Sequence, residues 1–109
     1  LAEQLRRASV VLVPSHSETY GLVALEAAAS GVPVVARATG GLREAVSDGE
    51  TGVLLETDDP AAWAAVILRI LGDPELAGGM GAAARRFALR RNWLESTRAL
   101  LAVYRDVLA

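Results

Sequence analysis

The sequence predicts an α/β fold built on a small parallel sheet, and two observations lead to that prediction. Three short apolar segments, at 10–14, 32–37 and 52–56, alternate with segments of helical composition. Runs of this length, rich in valine or leucine and bounded by Gly or Pro, are typical of buried strands. Strands separated by helices imply a mostly parallel sheet with right-handed crossovers, so the expected class is Rossmann-like.

The first strand is followed by a polar loop and then a helix. The strand VVLVP at 10–14 ends at a proline, and the loop SHSETYG occupies 15–21. An Ala/Leu-rich segment at 22–31 is predicted to be helical, with Gly31 closing it. Ligands of open parallel sheets gather at the carboxyl ends of the strands, so this loop is the expected position of a ligand site.

The order of strand, loop and helix recurs after the second strand, and the rest of the chain is predicted to be helical after the third. Gly40-Gly41 marks a turn that needs positive φ, and a short helix is expected over 42–46. Beyond the third strand we expect helices over 60–71, 73–91 and 93–108. The aromatic residues of these helices are expected to pack in the core: Trp63, Phe87 and Trp93.

Three strands make a small sheet for this class. A doubly wound nucleotide-binding domain has about six strands in two halves, so the chain is predicted to supply one half. The inner edge of its sheet then lacks a neighbour, and the isolated chain is expected to self-associate, exchange strands or be marginally stable. The chain begins at Leu1, in what reads as the middle of a helix, from which we expect a longer protein.

Composition excludes several classes of function. The 109 residues include 11 basic residues, all Arg, and 13 acidic ones, for a net charge of -2, which gives no reason to expect nucleic-acid binding. There is no Cys and only one His, so a disulfide framework, a thiol nucleophile and a histidine metal site are not expected. The apolar runs are too short for a membrane span, and a cytoplasmic protein is expected.

The loop and the helix after it carry the candidate chemistry. Gly21 precedes the helix, whose N-terminus suits a phosphate, although every helix has such an end. Glu18 and Glu26 are eight positions apart, which as helix would span about 12 Å at most, whereas a glycoside-hydrolase pair needs roughly 5 to 9.5 Å. The two carboxylates therefore suit separate hydroxyl groups of one elongated ligand with negative charge between them, as in a nucleotide sugar.

These residues carry a family resemblance. The string SETYGLVALEAAASGVPVVARATGGLREAVSDGETGVLL resembles the retaining glycosyltransferases of the GT-B fold, which include glycogen synthases, sucrose synthases and phosphatidylinositol mannosyltransferases. The family pattern E-x7-E runs here from Glu18 to Glu26, with the aromatic residue and glycine at Tyr20 and Gly21. The similarity covers about residues 8–57 and includes the strand entry SGVPVV.

The resemblance implies a set of donor contacts. Glu26 would hydrogen-bond the ribose hydroxyls, the backbone amides at 20–22 would hold the diphosphate, and Glu18, the expected catalytic residue, would touch hydroxyls of the transferred sugar. The expected donor-binding residues lie in the loop and the start of the helix: Ser15, Glu18, Thr19, Tyr20, Gly21, Leu22 and Glu26. No metal site and no cofactor are expected, because the nucleotide-diphospho-sugar is the substrate.

The resemblance also implies the place of the chain in a larger enzyme. Residues 1–109 would be part of a C-terminal donor-binding domain, with the N-terminal acceptor domain and the first half of the donor domain absent. The full-length protein would be a retaining glycosyltransferase acting on a hydroxyl acceptor, whether sugar, polyol or lipid-linked, and the chain alone would be inactive. Membrane-surface contact through the absent domain is left open. The alternative is a non-catalytic nucleotide- or sugar-binding or scaffolding module.

Three other features have simpler interpretations. A lone loop histidine usually faces solvent, and His16 is given no catalytic role. The segment 79–84 matches the loose G-x-G-x-x-A dinucleotide pattern, but no strand precedes it, which disfavours half of a dinucleotide dehydrogenase. Four arginines on one helix segment are expected to form a solvated face, with contact to anionic lipid as the minority interpretation: Arg85, Arg86, Arg90 and Arg91.

Overall fold

The computed structural model describes residues 7–14, 16 and 21–108, with side chains as far as 91. Three strands form one parallel sheet in the order β1-β2-β3: β1 Val11–Val13, β2 Val34–Arg37 and β3 Gly52–Leu55. Val13 lies opposite Ala36, and Arg37 lies opposite Leu55. The predicted α/β class and parallel sheet are confirmed.

Four helices accompany the strands within residues 21–108. They are α1 Leu22–Ala29, α2 Leu42–Ala45, α3 Pro60–Leu71 and α4 Pro74–Leu108. The first connects β1 to β2, the second connects β2 to β3, and the last two follow the sheet. No helix in the described part of the chain combines the length and the apolar content that crossing a bilayer requires.

The central strand β2 is buried on both faces. Successive side chains of a strand point to opposite sides, so Val34 and Ala36 pack in one cluster while Val35 packs in another. The first cluster includes residues of α1 and α2, and the second includes Ile70 of α3 and Met80 of α4. Helices therefore cover both faces, as a doubly wound fold requires.

The edge strand β1 is less buried than the sequence predicts. The segment 10–14 was expected to be a buried strand, yet Leu12 is 47% exposed while Val13 is 6% exposed. Leu12 lies opposite Val35 in the register and so shares the sheet face covered by α3 and α4. The main contacts of those helices with the sheet are with β2 and β3 rather than with β1.

The C-terminal segment is one helix, and the prediction of two helices, at 73–91 and 93–108, is wrong. Between Ala82 and Leu108 the sequence contains neither Gly nor Pro, so nothing interrupts the backbone hydrogen bonds at Asn92. Gly81 has a packing role, since a Cβ there would collide with the carbonyl oxygen of Gly31. Close approach of two backbones therefore explains the glycine in the dinucleotide-like pattern.

Several local predictions are confirmed. Gly31 follows the end of α1 with φ 74°, and Gly40 adopts φ 47° in the turn before α2, whereas Gly41 is helical with φ −62°. Helix α3 begins at Pro60 as expected. Trp63 packs against the cluster of Val35, and its indole Nε1 donates to the Thr57 carbonyl at 2.8 Å. Phe87 is half-buried, and the side chain of Trp93 lies outside the described residues.

Candidate functional site

The candidate site lies at the carboxyl edge of the sheet, where the chain leaves each strand and the next helix begins. α1 and α2 both begin at this edge, and their starts touch. A Cβ on Gly21 would lie 2.7 Å from Ala45 Cβ and 3.0 Å from the Gly41 carbonyl oxygen. The glycine at position 21 therefore allows the start of α1 to lie this close to α2.

Four of the predicted donor-binding residues lie outside the described residues: Ser15, Glu18, Thr19 and Tyr20. Their expected contacts with the sugar and the diphosphate stay predictions. The other three, Gly21, Leu22 and Glu26, belong to the start of α1 and are described.

The N-terminus of α1 has the properties of an anion site. Gly21 is the N-cap residue with φ 62°, and among the described residues no side chain caps the helix. The Leu25 amide donates to the Gly21 carbonyl at 3.0 Å, so the amides of the residues between them precede the intrahelical hydrogen bonds. The first turn contains no acidic side chain, which leaves the positive end of the helix dipole available to a phosphate.

The presence of glycine at position 21 is explained by the fold without a bound ligand. The sequence suggests that this glycine lets the backbone approach a ligand closely. The structure supplies two other reasons, the positive φ and the contact with Ala45. A role of its amide in diphosphate binding remains a prediction.

Glu26 lies one turn after Leu22 on the same exposed side of α1. Residues four apart lie on one helix face and are separated by about 6 Å along the axis. Leu22 is exposed, as is Glu26, whose carboxylate pairs with no cation among the described residues. An anion bound at the helix start and a hydroxyl group bound to Glu26 could therefore belong to one ligand.

A polar cluster that the sequence did not reveal joins the ends of all three strands. His16 follows β1, Arg37 ends β2, and Asp58 follows β3. The Asp58 Oδ1 atom lies 3.0 Å from His16 Nε2 and 3.2 Å from Arg37 Nε. One carboxylate oxygen thus holds two groups from two other segments of the chain.

Arg37 is the most buried member of this cluster, with a side chain that is 17% exposed. Its Nε–H is not directed at the carboxylate, so the contact with Asp58 is an ion pair without a hydrogen bond. Its Nη1 donates to the Leu55 carbonyl at 3.4 Å. The signal in the sequence was that each of the three residues ends or follows a strand, and carboxyl ends of parallel strands meet at one edge.

The arginine segment of α4 is only partly a solvated face. Arg85, Arg86 and Arg90 are exposed, as the sequence predicts. Arg91 instead contacts the end of α2, where its Nη1 donates to the Glu44 carbonyl at 3.2 Å and its Nη2 lies 4.0 Å from Glu44 Oε2. For Arg91 the prediction is wrong, because α4 crosses close to a helix end whose carbonyl oxygens lack intrahelical N–H donors.

Comparisons with known proteins agree with the geometry. A family model described as "Glycosyl transferases group 1" matches residues 1–87. A D-inositol 3-phosphate glycosyltransferase of Acidothermus cellulolyticus is 50% identical over 109 residues, which are 100% of this chain and 24% of that protein. The chain spans about a quarter of the length of the curated relatives it matches.

Solved structures give the same result. Sucrose-phosphate synthase from Thermosynechococcus elongatus is similar with a TM-score of 0.82 and 42% identity, over 94% of this chain and 26% of that one. HepE from Anabaena in complex with UDP-glucose is similar with a TM-score of 0.77 and 28% identity, over 82% of this chain and 25% of that one.

Proposed function

Because the chain belongs to the group 1 glycosyl transferases, we propose that it forms donor-binding surface of an enzyme that transfers a glycosyl group from a nucleotide-diphospho-sugar to a hydroxyl acceptor. Residues 1–109 are then part of the C-terminal, donor-binding domain of a longer protein. Its acceptor site and the groups that read the base lie outside these residues. The transfer retains the configuration at the anomeric carbon.

The observation that carries the proposal is the start of α1. Amides that precede the intrahelical bonds and an exposed carboxylate one turn later share one side of the helix. The diphosphate binds the amides of Gly21 and Leu22, and the ribose hydroxyls bind Glu26. This order follows the connectivity of a nucleotide diphosphate, in which the ribose and the diphosphate are directly joined.

The remaining contacts rest on the family resemblance. Glu18 meets hydroxyls of the transferred sugar, and Ser15, Thr19 and the amide of Tyr20 complete the donor loop. As the bond to the sugar breaks, negative charge grows on the departing diphosphate, and the amides at 20–22 stabilise it. No metal ion takes part, and further positive groups come from outside the chain.

The names of similar proteins suggest the first substrates to test. UDP-glucose is the donor to begin with, since HepE was solved with it. D-inositol 3-phosphate is the first acceptor, since it appears in the names of relatives 44 to 53% identical to this chain. A polyol phosphate of this kind belongs to the hydroxyl acceptors that the sequence predicts.

Kinetics of the native protein test the proposal. Transfer from UDP-glucose and other nucleotide-diphospho-sugars is measured with and without D-inositol 3-phosphate, and the anomeric configuration of the product is read by NMR. Glu26→Ala should raise the donor KM roughly tenfold or more, because a hydrogen bond to a charged group contributes about 1.5 to 3 kcal/mol. Glu50→Ala removes an exposed carboxylate from the turn before β3 and is the matched control.

The possible outcomes separate the alternatives. Nucleotide binding without transfer from any donor would favour the non-catalytic module over the enzyme. A Glu26→Ala variant with the donor KM of the wild type would contradict the contact between Glu26 and the ribose. A product of inverted configuration would contradict retention.

A further inference from the structure

The outer face of α4 carries a concentration of positive charge. Residues 76–94 contain four arginines and no acidic residue, although the chain as a whole has a net charge of -2. Arg91 turns toward the end of α2, where it meets Glu44. The other three arginines are exposed, and their side chains have no hydrogen bond or ion pair within the described part of the chain: Arg85, Arg86 and Arg90.

An exposed apolar residue lies among these arginines. Leu89 follows Arg85 by four positions and Arg86 by three, so the three side chains are neighbours on one face of the helix. Leu89 is 58% exposed, whereas Ala84 and Ala88 on the opposite side pack in the core. One and two turns before the arginines, the same face carries only small exposed residues: Gly78, Gly79 and Ala82. The face therefore has little bulk that would hold a flat partner away.

From these features we propose that the arginine face of α4, formed by Arg85, Arg86, Leu89 and Arg90, docks on an anionic lipid surface. The helix then lies parallel to the plane of the bilayer. A guanidinium can donate two parallel hydrogen bonds to one lipid phosphate, and Leu89 enters the boundary between headgroups and acyl chains. Three positive charges and one leucine give weak, reversible binding.

The exposed leucine favours lipid over nucleic acid as the partner. Phosphates of either kind attract arginines, but a nucleic-acid backbone has no apolar layer that would cover Leu89. Stacking of bases needs exposed aromatic rings, and Phe87, the aromatic residue within this segment of described side chains, is half-buried. Glu75 lies on the same face but about 15 Å from Arg85 along the helix, beyond the Debye length of about 8 Å at physiological ionic strength, so it weakens the attraction little.

Binding of the native protein to phospholipid vesicles tests the inference. The protein should sediment with vesicles of phosphatidylglycerol and phosphatidylcholine in equal parts but not with phosphatidylcholine alone, and added salt should release it. Arg86→Glu should lower the vesicle partition coefficient about five- to 25-fold, because it removes an attraction that contributes a factor of about five and adds a repulsion. Leu89→Ser should lower it about three- to tenfold, because an apolar side chain no longer enters the bilayer.

Matched variants on another helix serve as controls. Arg69→Glu and Leu68→Ser change an exposed arginine and an exposed leucine of α3, and neither should lower the partition coefficient more than about twofold. Thermal melting shows that each variant is folded.

Several results would overturn the inference. One is vesicle binding that Arg86→Glu or Leu89→Ser leaves unchanged, and another is a loss on Arg69→Glu as large as the loss on Arg86→Glu. Equal binding to phosphatidylcholine alone would do the same, as would tighter binding to duplex DNA that Leu89→Ser does not weaken. Because no nucleotide sugar is present in these measurements, their outcome is independent of the proposed donor site.

Discussion

At the scale of single residues, Gly21 satisfies two separate requirements at the start of α1. Its φ of 62° lies in the left-handed region, and a Cβ on it would come within 2.7 Å of Ala45 Cβ. Gly49 has a similar backbone, with φ 84°, but a Cβ there would meet no atom within 4 Å. The two glycines therefore separate the cost of backbone strain from the cost of a steric clash.

We expect Gly49→Ala to lower the free energy of unfolding by about 1 to 2 kcal/mol, the cost of a left-handed backbone. Gly21→Ala should cost an additional 1 to 3 kcal/mol or so, because the new methyl group pushes α1 away from α2. Urea denaturation of the two variants measures the difference. Equal losses would mean that the contact with Ala45 relaxes without cost.

Candidate site residues were predictable to different degrees. Gly21, Leu22 and Glu26 lie within one continuous segment whose spacing identifies them. The cluster around Asp58 is different, because its members are about 20 residues apart and meet only through the parallel register of the strands. That register is not encoded in any local pattern, so the sequence left His16 as a lone loop residue.

At the scale of elements, α4 shows how packing decides where a helix continues. Its three glycines at 78, 79 and 81 weaken the local helical preference, yet the helix runs through them, as the sequence predicts for 73–91. Packing accounts for one of them, since Gly81 faces Gly31 while Ala84 and Ala88 pack on Ala28. Gly78 and Gly79 are exposed, and a Cβ on either would meet no atom within 4 Å.

Replacing different glycines of α4 by alanine should therefore change the free energy of unfolding in opposite directions. Gly78→Ala should raise the free energy of unfolding by up to about 1 kcal/mol, because alanine loses less backbone entropy in a helix. Gly81→Ala should lower it by about 1 to 3 kcal/mol, since the methyl group meets the Gly31 carbonyl. Thermal and urea unfolding measure both. A stabilising Gly81→Ala would contradict the close approach of α4 to the turn after α1.

At the scale of the whole molecule, β1 is an edge strand of the sheet that the described residues form, and such an edge favours association with another chain. Leu12 is 47% exposed on this edge strand, whose backbone groups on the outer side can pair with another chain. Both the parallel sheet and the exposed edge follow from strands alternating with helices, so they were predictable. The exposure of Leu12 was not predictable, because a valine-rich sequence does not show whether its strand lies at the edge or in the centre of the sheet.

We expect the 109-residue chain on its own to self-associate, and light scattering over a range of concentrations measures this. Leu12→Lys places a charge on the edge strand and should shift the chain toward monomer. Leu71→Lys is the control, because Leu71 is 52% exposed but lies on the helix α3 rather than on the edge strand. A wild-type chain that stays monomeric, or an association that Leu71→Lys abolishes instead, would contradict the role of β1.

The strand order has a consequence for how the molecule folds. Each strand pairs with the next strand along the chain, about 20 residues away, so each pairing closes only a short loop and its entropic cost is modest. Of the three described strands, β2 alone has two partners. Because β1 and β3 each pair with β2, we expect the segment Val34–Arg37 to belong to the folding nucleus, which φ-values of substitutions in the three strands would measure.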